Sequence, residues 1–429
     1  MKHTVLTTLA LAAVLALAGA ATAAETALQT SPGDWTNPAH WTNGAPQPTD
    51  TVTVNGSVGT ANMAGDPFFD TGGSLTVANS GIVNFNGSYV FVYTSDVFTV
   101  DPTSQINVAG SMFFRAGTNS MDFANAPAGG KVSVSSSAST LVVGDQGPAT
   151  LNIGAGSDGT SFYTLSSWDG GNQGVINIAG ATIGFTEGAS LGGKLNLTAG
   201  AVVNLGGGYS LFVGNSDALN LDSTSRVNVA GSMYFRAGVN SVDFANTPTD
   251  GKVSVSTDSW LIVGDQGPAT LNMDAGSDGV QFGVLSTWDN SQAGVINMTG
   301  AAVTFNSSAD IGGQANVNQV AGQQNGLTLN GTFSIVDGSL LNLVFDGTEL
   351  AGLDWALRWL GDHEATLKAY AAPEDGRLTW SGAPLDVSIF YNAEDNYTYV
   401  GYISNIPEPA TMSLLTLGGL ATLIRRKRQ

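Results

Sequence analysis

Leu151-Asn152-Ile153, Ile176-Asn177-Ile178, Leu195-Asn196-Leu197 and Leu219-Asn220-Leu221 repeat one apolar-Asn-apolar triplet at steps of 25, 19 and 24 residues. The same triplet stands at Ile106-Asn107-Val108, Val227-Asn228-Val229, Leu271-Asn272-Met273 and Ile296-Asn297-Met298. In an extended chain the two apolar side chains of each triplet face one way and the asparagine the other. A recurrence of this length is the scale of one solenoid coil. Glycine-rich corners such as Gly154-Ala155-Gly156 and Gly170-Gly171-Asn172 separate the strands, and helix signals are nearly absent between residues 50 and 345. These features predict an all-β chain built as a parallel β-helix, with aliphatic columns inside and backbone hydrogen bonds running from coil to coil. A β-sandwich, the competing fold, accounts for the alternation but not for the recurrence.

A longer period overlies the short one. Val108-Ala109-Gly110-Ser111-Met112-Phe113-Phe114-Arg115-Ala116-Gly117 reappears from Val229 to Gly238, and Val143 to Asn152 reappears from Val263 to Asn272. Trp168-Asp169 returns as Trp288-Asp289, and Gly192-Gly193 as Gly312-Gly313. The offset is 120 or 121 residues throughout, so residues 72–191 and 192–311 are two copies of one unit.

Both ends carry targeting features. Lys2 and His3 precede an apolar stretch from Val5 to Ala18, and Ala21-Thr22-Ala23-Ala24 then precede Glu25, the pattern of a secretory signal peptide over residues 1–24. At the other end, Asn405-Ile406-Pro407-Glu408-Pro409 is followed by an apolar run from Ala410 to Ile424 and by Arg425-Arg426-Lys427-Arg428. The two prolines keep the chain extended, the apolar run forms a short membrane helix, and the cations hold its end on the cytoplasmic side. Together these residues resemble a PEP-CTERM sorting signal. The resemblance implies that Pro407, Glu408, Pro409, Arg425, Arg426, Lys427 and Arg428 are read by an exosortase-type membrane protease, which would cut near the prolines. It also implies an exported protein at the cell envelope, cell surface or extracellular matrix, associated with exopolysaccharide. A plain C-terminal membrane anchor is the alternative for residues 405–429.

Composition narrows the partners. Taking Lys2 and the four tail cations from 14 Lys and Arg, and Glu408 from 34 Asp and Glu, leaves nine cations against 33 carboxylates. A body so acidic disfavours nucleic acid and anionic membrane surfaces. Charged residues are only 11% of the chain, so Ser, Thr, Asn, Gly and Gln must make up most of its surface, which suits a polysaccharide-rich setting. The absence of cysteine rules out disulfides, thiolate metal sites and cysteine nucleophiles.

Trp35, Trp41, Gly44, Pro46 and Asp50 form W-x5-W-x2-G-x-P-x3-D ahead of Thr51-Val52-Thr53-Val54. This is similar to the opening coil of exported β-helix proteins of the autotransporter-passenger and PEP-CTERM type, and residues 25–71 are assigned to a tryptophan-rich N-terminal cap. Sugar stacking is the sharper role for these two tryptophans. Beyond Gly322 the coil pattern is expected to fade, leaving last coils and a C-terminal β cap over 312–404, with strands near 355–359, 385–391 and 397–403. Alternation of Trp355, Leu357 and Trp359 with Ala356 and Arg358 predicts burial of one face only.

Candidate chemistry is sparse. Asp122, Asp145, Asp158 and Asp169 recur as Asp243, Asp265, Asp278 and Asp289. Equal duplication fits turn roles, so they are assigned to Asx turns and turn capping and no catalytic residue is assigned. Arg115/Arg236 and Lys131/Lys252 are read as surface ion pairs with Asp122/Asp243. Gly154 to Gly159 matches G-x-G-x-x-G only formally, because a strand follows it. Asp362-His363-Glu364 is read as a solvated turn. Trp168 and Trp288 remain as carbohydrate contacts, two repeated aromatics beside polar turns. No cofactor and no metal ligand set is expected, although acidic glycine-rich turns are compatible with weak calcium binding. The reading is a non-enzymatic, exported surface protein. A β-helix polysaccharide lyase or hydrolase is the first alternative. A carbohydrate-binding or, more remotely, ice-binding module is the second, although threonines such as Thr51 and Thr53 are expected to form no column.

Overall fold

The apolar-Asn-apolar triplets form strands that stack in register. In the computed structural model, which describes residues 24–167, 174–208, 211–287, 294–320, 326–345, 352–382 and 387–404, Leu151, Ile176 and Leu195 lie above one another, as do Ile153, Ile178 and Leu197. All six are buried. With 53% of residues in strands and 5% in helices, the chain is all-β and winds a β-solenoid of about 13 turns, as the recurrence predicts; the sandwich is set aside. Two compact units divide it, one of residues 1–214 and 218–227, the other of residues 215–217 and 228–429.

In the first unit the strands Ala149–Ile153, Val175–Ala179, Lys194–Thr198 and Leu219–Leu221 pair in parallel. In the second, Ala269–Met273, Val295–Thr299, Gln314–Asn318 and Leu340–Val344 do the same. Phenylalanines fill the wider parts of both cores. Phe162 lies 5.1 Å from Phe123 and 5.7 Å from Phe185. Their duplicates keep the arrangement, with Phe282 at 5.4 Å from Phe244 and 5.6 Å from Phe305.

The first coils close over the two tryptophans. Trp35 and Trp41 are buried with ring centroids 5.2 Å apart, Trp35 also packs on Phe85 at 5.8 Å, and Trp41 Nε1 donates to the Asp34 carbonyl at 3.0 Å. Burial removes both rings from any sugar and leaves them the capping role. Asp50 of the same motif accepts from the Gln47 and Ala24 amides, and Gly44 supplies a turn at φ +94°.

Three expectations are corrected. Coil stacking does not fade beyond Gly322: Leu327–Leu329 pairs in parallel with Val303–Ile311 and Gly352–Leu360, and Leu340–Val344 with Leu378–Ser381. Only then does the chain turn antiparallel, with Ser388–Asn392 and Tyr397–Ser404 closing on Gly352–Leu360. Within that last strand Asp354, Trp355, Ala356 and Leu357 are all buried, not one face of them. A register shift between Trp355 and Leu357 breaks the alternation, and Gln319 Nε2 donates a hydrogen bond of 3.0 Å to Asp354 Oδ1. Finally, Asp362-His363-Glu364 opens a short helix, Glu364–Tyr370, in which His363 stacks on Trp359 at 3.5 Å.

Candidate functional site

The asparagines of the triplets face outward and bond to one another. In the first unit Asn152, Asn177, Asn196 and Asn220 form a ladder in which each Nδ2 donates to the Oδ1 one coil earlier, at 2.7, 2.8 and 2.9 Å. Asn152 Nδ2 passes the chain to Ser120 Oγ at 3.0 Å. A separate run links Asn107, Asn84 and Asn62. In the second unit Asn316, Asn297 and Asn272 repeat the pattern at 2.7 and 2.8 Å.

An open cleft of about 610 Å³ lies against the first of these ladders. Its polar wall is Thr99, Ser120, Asp122, Asn152 and Asn177, and Met121 and Val132 contribute apolar surface. An amide in such a ladder uses one N–H and one lone pair on its neighbours and keeps the others for a ligand. Asp122 is the one carboxylate in the lining. This wall can hydrogen-bond a hydroxyl-rich chain, whereas hydrolysis of a glycoside needs two carboxyl groups. Thr99 also ends a column that corrects the expectation for threonine: Thr53, Thr76 and Thr99 stand in register on three successive coils. Parallel pairing aligns them, while Thr51 meets Ser74 beside them.

The recurring aspartates divide by task. Asp158 and Asp278 accept from backbone amides of the following coil, Thr182 N at 2.9 Å and Ala302 N at 3.0 Å. The bond from Thr182 holds the Asp158 carboxyl below its usual range. Asp101 and Asp222 accept instead from amides of the preceding coil, Asn79 and Ala199, and are held down by Ser104 and Ser225 of their own turns. Asp158 and Asp278 tie coil to coil, while Asp101 and Asp222 also shape their own turns through Thr103 and Thr224.

Arg115 and Arg236 do not pair with Asp122 and Asp243 as expected. Phe114 aligns with Val143 and Phe235 with Val263, which sets each arginine beside the next coil's corner. Their partners are therefore Asp145 at 3.0 Å and Asp265 at 3.4 Å. Lys131 and Lys252 donate to the Gly156 and Gly276 carbonyls.

Asp122 and Asp243 pack against those glycines, where a Cβ would come within 1.9 and 2.1 Å of the carboxylates. At this corner the two copies differ. Gly154 of the first is Asp274 in the second, and Asp274 hydrogen-bonds Asp243. Burial, the bond to Asp274 and its charge push the Asp243 carboxyl up to about 6. Among the described residues no group of three or more acidic or histidine side chains is placed to hold a metal. Trp168, Asp169, Trp288 and Asp289 lie outside the described residues, as do the signal peptide's residues 1–23 and the tail from 405 onward.

Comparison with known proteins decides the tail. Residues 405–428 match the PEP-CTERM protein-sorting motif. The match spans Pro407, Glu408, Pro409 and the cluster Arg425, Arg426, Lys427 and Arg428. No curated protein and no solved structure matches the chain. A PEP-CTERM signal implies export, exosortase processing and sorting to the cell envelope or surface. Among the described residues no helix is long and apolar enough to cross a membrane.

Proposed function

We propose that this chain is a non-enzymatic cell-surface or extracellular-matrix protein whose β-solenoid body contacts exopolysaccharide or biofilm material. The PEP-CTERM motif at residues 405–428 carries the reading, because it fixes a route to the envelope that needs no chemistry from the body. Support comes from the ladder-lined cleft, whose amides and hydroxyls suit a polyhydroxyl chain. It comes also from the aspartates, which are engaged as corner caps and ion pairs. The tail's apolar run would hold the protein in the membrane before processing. Trp168 and Trp288 are proposed as further sugar contacts, and neither a cofactor nor more than weak calcium binding enters the reading.

Tracking an epitope-tagged chain with and without residues 405–429 tests it. The full chain is expected in the envelope fraction and shortened at its C-terminus, while the tail-less chain escapes both. Identical size and location for the two would sink the sorting route.

One observation favours a second reading, a polysaccharide lyase or hydrolase: Asp122 stands in the wall of a cleft on a solenoid. Release of reducing or unsaturated sugar ends from a polysaccharide, lost on Asp122→Asn, would establish it. The hydrogen-bonded Asp243 and Asp274 are poorly suited to hydrolysis, because carboxyl groups in contact leave no gap of roughly 5–9.5 Å for a glycosidic bond.

A further inference from the structure

The duplication supplies an internal control: a residue that one copy has and the other lacks is not required by the fold. By that criterion Phe68, Tyr89 and Tyr93 stand out, part of a patch of exposed aromatic rings in the first unit. Phe68, Phe91 and Phe113 stand in register on three successive coils, all facing outward. Tyr89 and Tyr93 flank Phe91 on its own coil and share its face, since residues two apart point the same way. Phe68 and Tyr89 are 42% and 44% exposed, which marks the patch as accessible. Centroid separations run from 4.7 Å for Phe68 and Tyr93 to 5.7 Å for Phe68 and Phe91, so the rings form one continuous surface.

The second copy keeps two of the five rings, Phe212 at the place of Phe91 and Tyr234 at the place of Phe113, and lacks the other three. Phe68 precedes Phe91 by one coil, and the residue that precedes Phe212 by one coil is Ser190. At the positions of Tyr89 and Tyr93 it carries Ser210 and Gly214. Exposed aromatic surface is unfavourable in water, and around Phe212 three of the five rings are dispensed with. A contiguous apolar patch of this kind marks a contact surface.

We infer that the ridge of Phe68, Tyr89, Phe91, Tyr93 and Phe113 binds an extended, neutral polysaccharide chain. The assignment rests on the polysaccharide reading above and gives it a site. Three features select this occupant. The exposed aromatic area is on the order of 300 Å² from the size of such side chains, well short of the ~800 Å² per partner of a stable protein interface. A single glycan chain needs only a narrow ridge, and the spacing of the rings along the stack is close to the length of one pyranose unit. The ridge also has a polar rim: Arg115 lies 4.2 Å over the Phe91 ring and pairs with Asp145, and Tyr93 Oη donates to Gln146 Oε1 at 3.0 Å. Pyranose C–H faces would pack on the rings while hydroxyls reach that rim. Finally, a net charge of −20 on the chain repels acidic polymers, and the ridge's one guanidinium is already engaged by Asp145.

Affinity electrophoresis of the purified protein in gels containing hydroxyethyl cellulose, galactomannan or dextran, with polygalacturonate as the acidic comparison, tests the inference. The double variant Phe68→Ser, Tyr89→Ser installs the residues that stand at the corresponding places around Phe212, and an unchanged thermal midpoint checks its fold. Retardation by at least one neutral polymer, weakened about tenfold in the double variant and retained in Tyr89→Phe, is the expected result. Equal retardation of wild type and double variant overturns the ridge but leaves the polysaccharide reading standing, as would loss of binding only on Trp168→Ala with Trp288→Ala. Retardation by polygalacturonate alone overturns the neutral occupant. No retardation by any polymer removes the polysaccharide reading and the ridge with it. Concentration-dependent sedimentation abolished by the double variant would assign the ridge to a second copy of the chain and overturn the inference.

Discussion

Asp243 and Asp274 share a hydrogen bond between their carboxyl groups beside Lys252, an arrangement that the first copy lacks because Gly154 occupies the second position. Burial and this bond push Asp243 up to about 6 from 3.8. Between those pH values the folded chain holds a proton that the unfolded chain has released. Its stability therefore falls as pH rises through that window. Asp274 is held down by the same bond and acts oppositely, losing stability as pH falls below the ordinary carboxylate range.

Asp243→Asn should remove the first effect while keeping a donor for Asp274. The variant is expected to be more stable than wild type by about 1 kcal/mol at pH 7, a figure reduced for solvent screening of a half-exposed group, and equal to it near pH 3.5. Thermal unfolding followed across pH 3.5 to 8 reads this directly. A constant difference at all pH values would contradict the shared proton.

The asparagine ladder makes a second prediction. Asn177 donates to Asn152 at 2.7 Å and accepts from Asn196 at 2.8 Å. Asn177→Ala should cost about 1 kcal/mol, because water can partly replace both bonds at this half-buried surface. Asn177→Asp should cost about 2 kcal/mol, since a carboxylate cannot donate to Asn152 Oδ1 and sets acceptor against acceptor. Denaturant midpoints at pH 7 distinguish them; an Asp variant as stable as the Ala variant would show that the ladder is incidental.

Phe162 and Phe282 occupy duplicate, fully enclosed positions between two other phenylalanines. Truncation to alanine should cost about 3–5 kcal/mol at each, with the two values agreeing within about 1 kcal/mol. Separate chemical denaturation of the two variants checks this. A loss below about 1.5 kcal/mol at either would mean that its core relaxes into the cavity.

The repeated Gly-Gly corners acquire a reason. A Cβ at Gly193 would lie 2.0 Å from the Gly174 carbonyl oxygen, and one at Gly313 would lie 2.2 Å from that of Gly294. Gly193→Ala must move backbone in the adjacent coil and should cost about 3 kcal/mol. Gly208→Ala, which meets nothing within 4 Å, should stay within about 0.5 kcal/mol of wild type. Comparable thermal midpoints for the two alanine variants would refute the close-approach argument.

Sequence alone determined the solenoid, the duplication and the sorting tail. Each is written in local order: a two-residue alternation, a coil-length recurrence, a 120-residue copy, and a proline-apolar-arginine series read in one direction. The burial of Trp35 and Trp41 followed from the need to close an exposed end. What tertiary structure alone decided was which residues meet across coils. The pairing of Arg115 with Asp145, the column of Thr53, Thr76 and Thr99, and the alignment of Phe68 with Phe91 and Phe113 all depend on parallel register. Coils here differ in length, as the 25-, 19- and 24-residue steps show, so equal spacing along the chain does not locate a neighbour one coil away. Only the backbone hydrogen bonds between coils set that register, and with it the cleft wall, the carboxyl pair and the aromatic ridge.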